Sequence, residues 1–269
     1  MSERNLDRAA FLKSRRQRLT VDEVGLPPST RRRSATLRRE DVAWLADVGI
    51  TWYTWLEQGR TMKMAAGTLD RVSGALKLDP SECEYLRRLM HPARTESPHG
   101  DSAVSARIQA LIESYTAGCA FVIGPRWDVL FWNRNFETLF EMRAAGEGDG
   151  SGFERNGLWM MFMSERAKAL FPDWRAIARR MVATFRFEQA DYGGDGGFIN
   201  LIAALSRSSP EFVAMWDEIE VLSLALWSVS EIREPATRSI VEYETVTLRI
   251  AESPDQTLVF YVRAIPATV

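Results

Sequence analysis

The side chains best equipped to act on a partner lie in residues 37–60, LRREDVAWLADVGITWYTWLEQGR. Thr51 and Thr54 offer hydroxyls that can hydrogen-bond base edges or phosphate. Trp52 and Trp55 offer flat apolar surface that can meet thymine methyls or sugars. Packing within their own domain is the alternative for each indole. Guanidinium groups surround the run: Arg31, Arg32 and Arg33, then Arg38 and Arg39, precede it, Arg60 closes it, and Arg15, Arg16 and Arg18 end an earlier helix over residues 6–19. Each phosphate neutralised by such a group adds about 0.9 to the dependence of log K on log salt.

Two short helices broken by a tight turn must position these groups. The first is expected to begin after Thr36 as N-cap, with Val42, Leu45, Ala46 and Val48 as its apolar face and the small Ala43 where the second helix crosses. Asp47-Val48-Gly49 is the expected turn, because Gly allows and Asp tolerates a positive φ. Thr51 is expected to cap the second helix, Tyr53 and Leu56 to face inward, Trp52, Thr54 and Trp55 to face outward, and Gly59 to stop the helix. This is the outline of a helix-turn-helix, which puts its second helix into the major groove of DNA.

Charge is segregated in the same sense. Residues 1–94 carry 18 Lys and Arg against 12 Asp and Glu, a net of +6, whereas residues 95–269 carry a net of −8. The overall −2 conceals a basic end that coincides with the helical pair. A different class of function would also use this surface: a protein-interaction module with Trp52 and Trp55 as hot spots.

The rest of the first domain is expected to be helical, at residues 65–76 and then to Met90, with Asp79 as N-cap and Pro80 at the first helical position. The Pro, Gly, Ser and charge content of residues 91–102 reads as a linker. The second domain is expected to open with a helix at 104–115, followed by strands at 120–123 and 127–132 and a helix capped by Asn133. After a loop at 144–152, helices are expected near 158–163, 165–170, 174–187, 198–206 and 210–219. Strands at 223–231, 239–250 and 256–264 follow, with Ser253-Pro254-Asp255 as the last turn. Between the sheet and its helices, methionine and aromatic residues are dense enough for an adaptable apolar cavity. Some of Phe121, Trp132, Phe136, Phe140, Trp159, Phe162, Met181 and Phe185 are its candidate lining, with ordinary core packing the alternative for each; Arg175 or Arg179 is a candidate receptor for a carboxylate, with solvation at the surface the alternative for both.

Enzyme chemistry finds little support. The two histidines, His91 and His99, both fall in the linker, so neither a His-based triad nor a multi-histidine metal site is expected. The glycine runs at 146–152 and 193–197 lack GxxxxGK[ST] and read as flexible loops. Cys83 and Cys119 form no CxxC and suit a reducing compartment. No apolar run approaches the ~20 residues of a membrane span, and the N-terminus lacks the apolar stretch of a secretory signal.

Several runs together resemble the MmyB-like transcriptional regulators: VGLP at 24–27, RRR at 31–33, LRRED at 37–41, TWYTWLEQGR at 51–60, RWDVLFWN at 126–133 and LFPDW at 170–174. The resemblance covers about residues 6–265. It implies an Xre/Cro-type helix-turn-helix followed by a PAS-like ligand-binding domain, with Ile50, Thr51, Trp52, Thr54 and Trp55 as reading positions and Arg39 at the start of the pair. The chain departs from the family at Asp47, where Gly is usual, and at Gly49, where a small hydroxyl residue is usual. The resulting expectation is α+β: an all-α DNA-binding domain at 1–92, a linker at 93–103, and at 104–269 a PAS-like domain with an antiparallel sheet and an enlarged helical side. The expected protein is a cytoplasmic, homodimeric, one-component regulator without cofactor. It binds double-stranded operator DNA and senses a fatty-acid-like or other apolar small molecule.

Overall fold

The structure, a computed structural model, describes residues 2–27, 35–61, 65–91, 103–142, 150–192, 194–223, 229–235 and 237–264. The chain forms two compact units, Met1–Glu96 with Ala190–Gly194, and Ser97–Gln189 with Asp195–Val269.

Among the described residues, the first unit packs the α-helices α1 (Glu3–Arg18), α2 (Arg39–Leu45), α3 (Ile50–Glu57), α4 (Ala66–Ala75) and α5 (Pro80–Met90). Their apolar stripes meet in a core that includes Phe11, Leu12, Val42, Tyr53, Leu56, Val72, Leu76 and Leu86, all without exposed surface. Phe11 meets Tyr85 edge-on at 5.0 Å. α5 starts as its residues dictate: Glu82 N–H donates to Asp79 Oδ1 (2.9 Å), Asp79 N–H donates to Glu82 Oε2 (3.0 Å), and Pro80 needs no partner at its nitrogen. α2 starts at Arg39 rather than after Thr36. Thr36 instead forms an isolated bridge with Thr20, and the Asp41 carboxylate accepts the Arg38 N–H at 2.7 Å. An acidic residue reaching back over the first turn thus replaces the expected hydroxyl cap.

The second unit is α+β. A five-stranded antiparallel sheet has the order β2-β1-β5-β4-β3, built from β1 (Ala120–Ile123), β2 (Val129–Trp132), β3 (Val229–Arg233), β4 (Ile240–Ile250) and β5 (Ser253–Arg263). Helix α6 (Ala106–Ser114) covers one face, where Ile112 packs with Ala120, Val122 and Leu258. Between β2 and β3 the chain runs through α7 (Arg134–Phe140), α8 (Gly157–Met163), α9 (Glu165–Leu170), α10 (Trp174–Gln189), α11 (Gly196–Ser208) and α12 (Pro210–Asp217). This is the element order expected of a PAS-like sheet with an enlarged helical side.

Three strand boundaries differ from expectation. β2 begins at Val129 because Trp127 takes a positive φ of 66°, closing a turn in which its N–H donates to Gly124 O at 2.9 Å. The last hairpin turns at Ala251-Glu252, and Ser253-Pro254-Asp255 belongs to β5. A register shift between Arg249 and Ile250 of β4 makes an irregularity at this end of the hairpin, and such a place tolerates a proline. β3 starts at Val229, and residues 224–228 of the expected strand lie outside the described residues. So do most of the expected linker and of the loop at 144–152.

Candidate functional site

In the first unit, the turn between α2 and α3 is built from unusual backbone. Asp47, not Gly49, takes the left-handed conformation (φ 52°). It lets Val48 N–H reach Ala43 O at 2.9 Å and Asp47 N–H reach Trp44 O at 3.2 Å, which closes α2. Gly49 has extended backbone (φ −65°, ψ 136°) and precedes the helix, which starts at Ile50. Thr51, expected as the cap, therefore sits within the first turn, because Gly49 takes the cap position without a side chain. At the far end Gly59 (φ 72°) closes α3 as expected, with Arg60 N–H donating to Trp55 O at 3.0 Å.

α3 divides cleanly. Tyr53 and Leu56 are fully buried. Ile50 is 41 % and Trp55 42 % exposed, Thr51 is exposed, and Trp52 and Thr54 are half-buried. The exposed Arg60 holds its guanidinium 5.3 Å over the Trp55 ring. Arg38 is exposed at the start of α2. Sequence reasoning missed Trp44, which is 73 % exposed on α2. Its place between the inward Val42 and the half-buried Leu45 was the available signal.

The surrounding arginines are more occupied than their number suggests. The buried Glu57 carboxylate accepts two hydrogen bonds from Arg16, both 2.7 Å, and one from Arg39 Nε at 3.0 Å. Glu82 pairs with Arg15 (2.7 Å) and Arg18 (2.8 Å), and Arg15 and Glu82 are both buried. The cluster Arg15, Arg16 and Arg18, expected to surround the second helix with free positive charge, is thus drawn onto internal carboxylates. Burial by itself raises the Glu57 carboxyl. The Arg16 hydrogen bond and charge, together with Arg39, outweigh it and hold the group below the usual carboxylate range. Arg31, Arg32 and Arg33 lie outside the described residues.

In the second unit, a cavity of about 80 Å³ lies between the sheet and the helices. Phe121, Ile123, Val129, Val259 and Tyr261 face it from the sheet, and Met160, Met161, Phe171 and Met181 from the helical side. Of the expected lining, Phe121, Phe136, Phe140 and Met181 contribute. The other four are placed elsewhere. Trp159 packs on Phe153 (5.6 Å), Phe162 on Phe212 (5.3 Å), Phe185 on Phe198 (5.3 Å), and Trp132 lies beneath Arg155 (5.1 Å). Trp159, Phe162 and Phe185 lie on α8 and α10, which are packed on several sides, so each has more than one apolar neighbour, and Phe185 backs the cavity-lining Trp127 at 5.6 Å; Trp132 is half-buried on the edge strand β2. Trp127, expected in a strand, lines the cavity from its left-handed turn and donates its indole N–H to Glu188 Oε2 at 2.8 Å.

The candidate carboxylate receptors do not reach this space. Arg179 is bound to Glu218 (2.8 and 3.1 Å), and Arg175 lies over the Trp174 ring (5.1 Å). Polar lining comes from Thr245, Thr247 and Tyr261. Cys83 and Cys119 are both free thiols. Among the described residues, no group of three or more His, Cys, Asp or Glu side chains could hold a metal, and no helix is long and apolar enough to cross a membrane.

A search of the curated proteins returned no match. Residues 104–268, which contain the whole sheet, its helices and the cavity, match the model of the MmyB-like transcription regulator ligand binding domain, a regulatory rather than catalytic domain. With more than half of its length in that match, the chain belongs to the MmyB-like transcription regulators, and its second unit is their ligand-binding domain.

Proposed function

We propose that the protein is a one-component regulator whose residues 1–92 bind operator DNA as a helix-turn-helix and whose residues 104–269 sense an apolar, fatty-acid-like or similar lipophilic molecule, joined by a linker at 93–103. The observation that carries the DNA reading is the division of α3. Tyr53 and Leu56 hold the helix to the core while Ile50, Thr51 and Trp55 are exposed, with Arg60 over the Trp55 ring and Arg38 exposed at the start of α2. The apolar cavity inside the family's ligand-binding domain supports the sensing reading. Ligand shifts the population of DNA-competent protein by its differential affinity for the two states. This reading puts the protein in the cytoplasm, as a homodimer. Leu111, Val246 and Leu248, exposed on the second unit, support self-association there.

Binding-site selection on random duplexes with the intact protein tests the DNA reading. A recovered sequence motif is expected. Thr54→Ala and Arg39→Ala are expected to change that motif, whereas neutralising Arg31, Arg32 and Arg33 lowers affinity nearly evenly across sequences. The exposure of Trp44 and Trp55 favours one second reading, a protein-binding surface on the same helical pair. Salt separates the two: DNA affinity falls steeply with added salt, and an aromatic protein interface is nearly insensitive to it.

A further inference from the structure

The cavity wall is apolar except at one place. Thr245 of β4 and Tyr261 of β5 are directly opposed across the two strands, and Thr247 stands two residues further along β4, opposite Val259. All three line the cavity. The Thr245 Oγ1 atom is buried with no hydrogen-bond partner. Tyr261, 8 % exposed, brings a second hydroxyl to the same stretch of wall. Buried hydroxyls are ordinarily paired, and one left unpaired is destabilising. The unpaired Thr245 hydroxyl, beside the Tyr261 phenol in an otherwise apolar wall, marks where a bound molecule supplies the missing partner.

The same wall selects the charge of that molecule. Among the described lining residues none is Lys, Arg or His, and the two arginines expected as carboxylate receptors, Arg175 and Arg179, are held by Trp174 and Glu218. A carboxylate here would lose its hydration without gaining a counter-ion, which two neutral hydroxyls do not repay. Burial raises the Tyr261 phenol well above its ordinary range, so it stays protonated and able to donate. The cavity is about 80 Å³, and a longer tail is accommodated by movement of the adaptable Met160, Met161 and Met181 side chains.

We propose that the effector is an uncharged amphiphile of modest length, an alcohol, ketone, ester or amide, whose polar head is hydrogen-bonded by Thr245 and Tyr261 and whose tail lies against the methionines. This rests on the reading of the cavity as the ligand site and narrows the lipophilic class proposed for it to molecules with an uncharged head, which admits a fatty acid only in its protonated form. Full-length protein is titrated with 1-octanol, sodium octanoate and n-octane, followed by tryptophan fluorescence and by melting temperature. Octanol is expected to bind at least about fivefold more tightly than octane, as one added hydrogen bond allows. Octanoate is expected to bind weakly at pH 8 and to strengthen as its carboxyl protonates. Thr245→Val and Tyr261→Phe are expected to remove the preference for octanol while leaving octane affinity unchanged, and Thr245→Ser, which keeps the hydroxyl, to retain it. Octanoate binding as tightly as octanol at pH 8, or an octanol preference that survives both hydroxyl deletions, would overturn the proposal while leaving the cavity a ligand site. Failure of all three compounds to bind would overturn the proposal together with the reading beneath it.

Discussion

The Glu57 carboxylate shows how a single residue ties three helices together. It ties Arg16 of α1 and Arg39 of α2 to the end of α3, the helix proposed to read DNA. Its folded-state pKa is depressed, so the stability it adds is fully present above the unfolded-state value and is lost as pH falls through the folded-state one. The melting temperature is therefore expected to fall with acidification from about pH 4.5 downward. Glu57→Gln should flatten that part of the curve and cost about 2 kcal/mol near neutrality, a figure reduced because Arg39 is partly solvated. An acid limb unchanged by Glu57→Gln would remove this role. Burial likewise pushes the Cys119 thiol up to about 12, so a thiol reagent should label the half-buried Cys83 first and reach Cys119 only on unfolding.

The elements are held by backbone geometry at a few positions, and two substitutions test this. Asp47 occupies a left-handed position that glycine adopts at no steric cost. Asp47→Gly is expected to stabilise the protein by about 0.5 kcal/mol, relief of strain outweighing the added chain entropy, read as a small rise in melting temperature; a fall would show that Asp47 is not strained. A Cβ on Gly118 would stand 2.2 Å from the Tyr261 carbonyl oxygen. Gly118→Ala should therefore push β5 away from β1 and lower stability by about 2 kcal/mol or more. A variant that melts with the wild type would show that the strands tolerate the separation. Much at this scale was legible in the sequence. Asp79-Pro80 and Asn133 mark helix starts, Gly59 marks a helix end, and the Glu165–Leu170 helix has the expected bounds. What was not legible depended on tertiary contacts. Thr51 lost the cap position to Gly49, and Trp127 left its strand for a left-handed turn. Trp132, Trp159, Phe162 and Phe185 turned to other neighbours than the cavity, because residue type reports that a side chain is buried but not which surface it meets.

At the scale of the whole molecule, a proposed DNA-reading helical unit is joined to the ligand-binding unit of a regulator family, and the consequences are properties of the intact chain. Light scattering after size-exclusion chromatography is expected to show a dimer, and Val246→Glu with Leu248→Glu to yield monomer; a wild-type chain that stays monomeric with and without DNA would contradict dimerisation. Operator recognition is tested most directly by the affinity of the full-length protein for its selected duplex, measured by fluorescence anisotropy from low to high salt. A linear fall of log K with log salt is predicted, with a slope of several units, together with loss of preference for the selected sequence in Thr54→Ala. Binding that is indifferent to salt, or equal on selected and scrambled duplexes, would contradict it.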